Sequence, residues 1–372
     1  MKLKTLVMKP NTLVMRPGIL VMLTIALCVF ATAVGMLTQV EGQAQTVANK
    51  FTEREVTFAG SGGLQLHGTL VLPANRKGKV PGVLLLPGSG PTDRNGNQPP
   101  AFVTDLLKQI AERLAAEGIA SFRFDKRAAH SYVSSFPSTV AALNEFFSWE
   151  NFIGDTKAAF AFLQAQPEVD AKRTVLAGHS EGAMFAVQLA SDLDGAPNAP
   201  AGLILLSSPG RPLGVIVVEQ VDASLKRSGV TGDAAKPYDD YMQLAINQLA
   251  KEGTIPPNPP QGLGALFPPS AAKLLRVELV FDPAKVLSGF NKPVLLIQGE
   301  KDIQISAARD FPVLESVLKA RKRGTYEAFV VPSASHNLKK VKDENTEAGF
   351  TGSVAPEALD KVTTWLVKAV GR

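Results

Sequence analysis

The stretch RTVLAGHSEGAMFAVQLA, residues 173–190, decides the fold. RTVLA reads as a short buried strand and EGAMFAVQLA as a helix, with Gly178-His179-Ser180-Glu181-Gly182 as the join. A strand that turns this abruptly into a helix brings the two backbones close together. The positions flanking the turn must then be small, which the two glycines satisfy. The residue at the apex takes a strained backbone, and a serine there projects its hydroxyl above the sheet. The plainer alternative is a glycine-rich turn whose serine only caps the helix.

Outward from this unit, the apolar pattern alternates between strand and helix. Segments 54–59 and 64–72 read as an antiparallel opening pair, joined by the Gly60–Gly63 turn. Segment 80–86 is a nearly continuous apolar run that ends in Pro87-Gly88-Ser89-Gly90, as a buried parallel strand does. A helix over 100–117, a strand over 119–124 and a helix over 151–166 lead to the quoted unit, and a strand over 202–207 follows it. The rhythm breaks at Pro209. From about 210 to 290 the text is helical segments interrupted by the proline-rich TIPPNPPQGLGALFPPS. Strand and helix then resume at 292–297, 307–319, 326–331 and 356–370. This order predicts a mostly parallel sheet covered by helices on both faces, with a helical lid inserted after the sixth strand.

Residues 1–44 have a different character. Lys2, Lys4, Lys9 and Arg16 precede an uncharged, largely apolar run from 17 to 40, with the small residues Gly42 and Ala44 ahead of Gln45. A basic and then apolar leader predicts a signal peptide and export to the periplasm or medium. An uncleaved membrane anchor over 17–40 is the alternative. The catalytic domain is then 45–372. The leader holds the single cysteine, Cys28, which rules out an internal disulfide and cysteine-based metal sites. It also carries three of the five net positive charges. The remainder, at +2, has no basic run or basic helix with which to grip nucleic acid.

A serine hydroxyl is a weak nucleophile and needs a general base, usually histidine. There are four histidines. His67 sits in the middle of a strand, His130 lies in a polar loop, and His179 adjoins the serine on a turn that aims it elsewhere. His336, in VVPSASHNL, directly follows the last strand, at the carboxyl edge where open sheets keep their sites. A carboxylate must orient that base. Asp302, in IQGEKD, is the first choice and Glu300 the second. Two amides should receive the developing oxyanion. Glu181 N–H is one, and Ser89 N–H, with Gly88 as its alternate, is the other. The Glu181 carboxylate needs neutralising so close to an oxyanion. Arg94 is its expected partner, ahead of Arg127 and Lys126.

With these residues in place, the chain from about Arg54 onward resembles the α/β-hydrolase superfamily. More narrowly, it is similar to bacterial exported serine hydrolases described as serine-aminopeptidase-like, dienelactone-hydrolase-like or acyl-ester hydrolases. LLLPGSGPTDRNGN looks like their HGSGP-type oxyanion loop, RFDKR like their RYDxRG segment, and GHSEG like their elbow. IQGEKD and SASHNL correspond to their acid and histidine segments. Pro87 stands where the loop usually has histidine, and KRAAHSY replaces the common RG-x-G-x-S. The resemblance implies neither metal nor organic cofactor. It also implies ester cleavage through Ser180, His336 and Asp302 on a small acyl ester. A peptidase or thioesterase on the same residues is the alternative, or a binding protein with an idle triad.

Overall fold

The computed structural model describes residues 51–342 and 349–371. The leader, and with it the expected signal peptide or anchor, lies outside them. No helix among the described residues is long and apolar enough to cross a membrane.

The chain opens with β1 (Phe51–Ala59) and β2 (Gln65–Pro73), then β3 (Val80–Leu86), α1 (Leu106–Ala116) and β4 (Ala120–Phe124). Next come α2 (Val140–Phe146), α3 (Trp149–Gln164), β5 (Val169–His179), α4 (Glu181–Asp192) and β6 (Gly202–Leu206). The insert holds α5 (Leu213–Arg227), α6 (Lys236–Glu252), α7 (Ala272–Glu278) and α8 (Pro283–Leu287). The chain closes with β7 (Val294–Gly299), α9 (Phe311–Ala320), β8 (Tyr326–Val331) and α10 (Pro356–Val370). The eight strands lie in the order β1-β2-β4-β3-β5-β6-β7-β8. Only the β1–β2 and β2–β4 pairings are antiparallel.

Alternation along the strands builds two cores. On β3, Val83 and Leu85 face a layer made by α1 and α10, with Ile110, Leu114, Trp365 and Leu366 packed against them. Leu84 and Leu86 point the other way, toward Phe160 of α3, Met184 of α4 and Leu314 of α9. Being covered on both faces is why these strands read as continuous apolar runs in the sequence. The insert has an apolar cluster of its own, in which Val217 and Leu225 of α5 meet Met242 and Leu249 of α6 and Leu275 of α7.

Boundaries differ from expectation where side chains compete with the helix for backbone groups. The helix expected over 100–117 begins only at Leu106. Before it, Asn97 Oδ1 accepts the Thr104 and Asp105 amides, each at 2.7 Å, and Gln98 pairs with Phe102 through both backbone bonds. That leaves residues 97–105 as an ordered loop. Helix α2 is missing from the sequence reading altogether; its N-terminus is capped by Thr139, which accepts the Ala142 amide.

Three consecutive residues after β4 hold the carboxyl edge of the sheet together. Asp125 receives Arg94 through Nη2 at 2.7 Å, Nε at 3.1 Å and the Arg94 amide at 2.8 Å. Lys126 reaches the site described below. Arg127 is fully buried and donates through Nε and Nη2 to the two oxygens of Asp155, both at 2.7 Å, and through Nη1 to Phe146 O at 2.8 Å. Asp155 also accepts the Ser61 amide at 2.8 Å, so one carboxylate ties the β1–β2 turn, the β4 loop and α3 together. Breaking a buried pair from one side strands the other charge. Asp155→Ala should therefore lower the unfolding free energy by about 3–5 kcal/mol. Urea denaturation checks this, and a loss under about 1 kcal/mol would contradict it.

Candidate active site

Ser180 sits between β5 and α4 with φ 55° and ψ −122°, an unusual conformation for a residue with a side chain. The neighbouring glycines are a steric necessity. A Cβ on Gly178 would lie 2.2 Å from Gly182 O, and one on Gly182 would lie 2.5 Å from Leu86 O. The turn is anchored by the Ser180 amide, which donates to Leu206 O at 2.9 Å. Ser180 is thus at the carboxyl edge, at the N-terminus of α4.

His336 follows β8 at the same edge and is buried. Its Nδ1 lies 2.7 Å from Asp302 Oδ2. Asp302 is held from every side: Oδ1 accepts the Gln304 and Ile305 amides at 2.8 and 2.9 Å, and Oδ2 accepts Gln298 Nε2 at 2.7 Å. This places Oδ2 as the acceptor for an Nδ1–H of His336, the tautomer in which Nε2 keeps a lone pair. Glu300, the second choice for this role, does a different job. It accepts the Ser333 amide at 2.7 Å, while the amides of Glu300 and Lys301 donate to Val331 and Ala334. Together these bonds clamp the loop bearing Asp302 to the loop bearing His336. Gly299 permits the contact, since a Cβ there would meet Ser335 O at 2.2 Å.

His179 turns out to belong to the site, although the sequence reading dismissed it. Its Nε2 lies 3.0 Å from the His336 carbonyl oxygen, which also accepts Ser207 Oγ at 2.8 Å. The two rings are 4.6 Å apart between centroids. Burial, reinforced by the neighbouring His336, pushes the His179 imidazole down to about 3. It is therefore a neutral ring that steadies the backbone of His336. The only sequence signal for this was adjacency to Ser180. Neither of the other two histidines is hydrogen-bonded to this pair, although His130 lines the larger cavity described below. His67 Nδ1 contacts Thr57 Oγ1 at 3.1 Å and its ring stacks on Tyr132, while His130 stands in the loop after β4.

The expected oxyanion donors flank Ser180. Glu181 is the first residue of α4, where a helix leaves its N–H groups unpaired. Ser89 follows β3, in a loop folded back on itself: its carbonyl accepts Thr92 Oγ1 and Gln98 Nε2, both at 2.7 Å. Gly88 lies against the elbow, its hypothetical Cβ 3.3 Å from Ser180 Cβ.

The Glu181 side chain does not pair with Arg94, which is fully engaged by Asp125, Glu55 and Thr69. Its partner is Lys126, whose Nζ donates to Glu181 Oε2 and, at 3.1 Å, to Gly88 O. The adjacent Asp125 draws Arg94 toward the β2–β4 edge, so the shorter lysine meets Glu181 instead. Glu278 of α7 completes the group. Burial, the charge of Glu181 and a hydrogen bond to it push the Glu278 carboxyl well above the usual range.

Two cavities meet at Ser180. The larger, about 390 Å³, is walled by Phe136 and Phe147 from the core domain and by Leu213, Val217, Phe267 and Leu275 from the insert. It reaches Ser89, Glu181, Lys126 and Glu278. The smaller, about 60 Å³, lies among Gly88, His179, Ser180 and His336. Among the described residues, no group of three or more His, Cys, Asp or Glu side chains could hold a metal ion.

No protein-family model matches the chain, and no curated protein matches it in sequence. Solved structures do. The chain is similar to Est1E from Butyrivibrio proteoclasticus, at 14% identity and a TM-score of 0.51, over 86% of this chain and 99% of that one. An esterase from Pyrococcus furiosus matches at 16% identity and 0.51, over 90% and 97%. A puromycin-hydrolyzing peptidase from Mycobacterium tuberculosis matches at 16% and 0.55; the match covers 89% of this chain but only 41% of that one. The strand order and these likenesses together identify the α/β-hydrolase fold.

The buried His179 ring gives a stability test. Unfolding frees it to take a proton at its ordinary value of 6.5, whereas the folded ring resists protonation down to about 3. Its contribution to stability is complete above about pH 6.5 and is lost as the pH falls toward 3. Thermal melting between pH 7 and 4 should thus fall less steeply for His179→Gln than for the wild type. Parallel curves would contradict the assignment.

Proposed function

We propose that the chain is a serine hydrolase that cleaves carboxylic esters through an acyl-enzyme. Ser180 Oγ attacks the ester carbonyl while His336 Nε2 takes its proton, and the Ser89 and Glu181 amides receive the oxyanion. His336 returns the proton to the departing alcohol and then draws one from water for deacylation. Asp302 keeps the imidazole in the working tautomer and stabilises its cationic form. The observation that carries this reading is the 2.7 Å contact between His336 Nδ1 and the fully hydrogen-bonded Asp302, with His336 lining the same small cavity as the strained Ser180.

The larger cavity supports an ester rather than a peptide as substrate. Its walls are mainly phenylalanine, leucine and valine, which suit an apolar acyl or alcohol group. The Pyrococcus furiosus neighbour is named an esterase, and the Mycobacterium tuberculosis neighbour a puromycin-hydrolyzing peptidase. The insert between β6 and β7 would serve as the lid of this cavity. The basic and apolar leader supports export, in which case N-terminal sequencing of the secreted protein should begin near Gln45. A start within the first few residues would overturn that.

A panel of p-nitrophenyl esters from acetate to palmitate, run beside an aminoacyl-nitroanilide, tests the reading. Turnover of the esters, with the anilide at least about 100-fold slower, is expected. Ser180→Ala and His336→Ala should each lower kcat by about four to six orders of magnitude. Preference for the anilide would move the assignment to a peptidase. Ester turnover that survives Ser180→Ala would remove the mechanism.

A further inference from the structure

We infer that Lys126 is a positioning residue of the oxyanion site: it sets the direction of the Ser89 amide and cancels the Glu181 charge beside the reacting oxygen. This rests on the ester-cleaving reading above and adds to it a residue outside the triad and the two amides.

The geometry begins with a peptide plane. Gly88 C=O and Ser89 N–H belong to the same trans peptide unit, in which the oxygen and the hydrogen point to opposite sides. A donor that fixes Gly88 O therefore fixes where Ser89 N–H points. Lys126 Nζ is that donor, at 3.1 Å, and it is itself held in place. It donates a second hydrogen bond to Glu181 Oε2 and lies 5.2 Å and 5.8 Å from the ring centroids of Phe152 and Phe185. An ammonium on the carbonyl end also polarises the peptide, which makes its N–H a stronger donor toward an anion. One side chain thus touches the carriers of both oxyanion donors: the Gly88–Ser89 unit after β3, and Glu181 at the head of α4.

The charges balance only with Lys126 present. Lys126, Glu181 and Glu278 are 4%, 5% and 3% exposed, so none is screened by bulk water. Burial, the Glu181 charge and a hydrogen bond to Glu181 push the Glu278 carboxyl well above its usual range, toward its neutral form. Lys126 is the basic side chain paired with Glu181 in this cluster. Without the lysine, an uncompensated carboxylate would stand beside the place where negative charge develops, opposing the transition state more than the neutral ground state.

Two variants test the inference. Lys126→Met removes the donor but strands Glu181. Lys126→Met/Glu181→Gln removes both buried charges, which folded proteins usually tolerate, and still leaves Gly88 O without its ammonium. Each is assayed with the best p-nitrophenyl ester and with an aryl boronic acid. Ser180 Oγ adds to boron as its proton passes to His336, which leaves a tetrahedral anion that the oxyanion site can hold. For both variants kcat should fall about 10- to 1000-fold with KM changed less than about threefold. Boronate affinity should fall in step with kcat/KM, whereas a purely structural role would not single out the anion. A folded double variant with wild-type kcat and boronate affinity would overturn the inference while leaving the ester reading intact. A wild-type chain that neither turns over any ester nor binds boronate would overturn the ester reading, and this inference with it.

Discussion

The close crossing of β5 and α4 at Ser180 governs the rest of the site. Strand and helix meet so tightly that Gly178 and Gly182 have no room for a Cβ, and the residue between them is driven to φ 55°. That strain is sustained by what surrounds it: the Ser180 amide is bonded to β6, and α4 is buried along most of its length. The crossing has two chemical consequences. It places one hydroxyl at the carboxyl edge of the sheet, directly ahead of the first residue of α4, where a helix leaves its amides unpaired. It also forces residue 181 against the loop after β3, which is why the fate of the Glu181 side chain matters.

That fate is decided by the order of charges in Asp125-Lys126-Arg127. Each member takes a different direction: Asp125 to Arg94, Lys126 to Glu181 and Gly88, Arg127 to Asp155. All three are buried, and a buried ion pair is justified less by net stability than by what it holds in register. Here the pairs fasten the loops after β3 and β4 to the head of α4 and to α3. On the far side of Ser180 the fastening is done by hydrogen bonds to backbone groups instead. Glu300 and Gly299 join the loop of Asp302 to that of His336, and His179 and Ser207 share the His336 carbonyl. The surroundings of Ser180 are therefore braced by ion pairs beside the loops after β3 and β4, and by hydrogen bonds around His336.

Much of this was legible in the chain itself. Apolar runs covered on both faces located the central strands, and the Gly60–Gly63 turn located the opening pair, whose first strand is largely exposed. The elbow glycines announced their own steric constraint. His336 and Asp302 could be singled out because residues that follow strands in a parallel sheet converge at one edge, wherever they lie in sequence. What stayed hidden depended on side-chain direction. Nothing local distinguishes Lys126 from Arg94 as the partner of Glu181, because the choice turns on Asp125 capturing the arginine first. His179 looked misdirected until the His336 carbonyl was in position to receive it. Loop 97–105 reads as the start of a helix, and only the Asn97 side chain, bonded across the loop, ends that reading. The walls of the larger cavity come from segments over a hundred residues apart, so neither its size nor its apolar character was visible beforehand.

The central claim is that Ser180 is a nucleophile primed by its surroundings. Intact-mass measurement after treatment with a fluorophosphonate, followed by peptide mapping, tests it most directly. One adduct per chain, located on Ser180 and absent from Ser180→Ala, is the expected result. A folded protein that takes no adduct, or takes it on another residue, would contradict the claim.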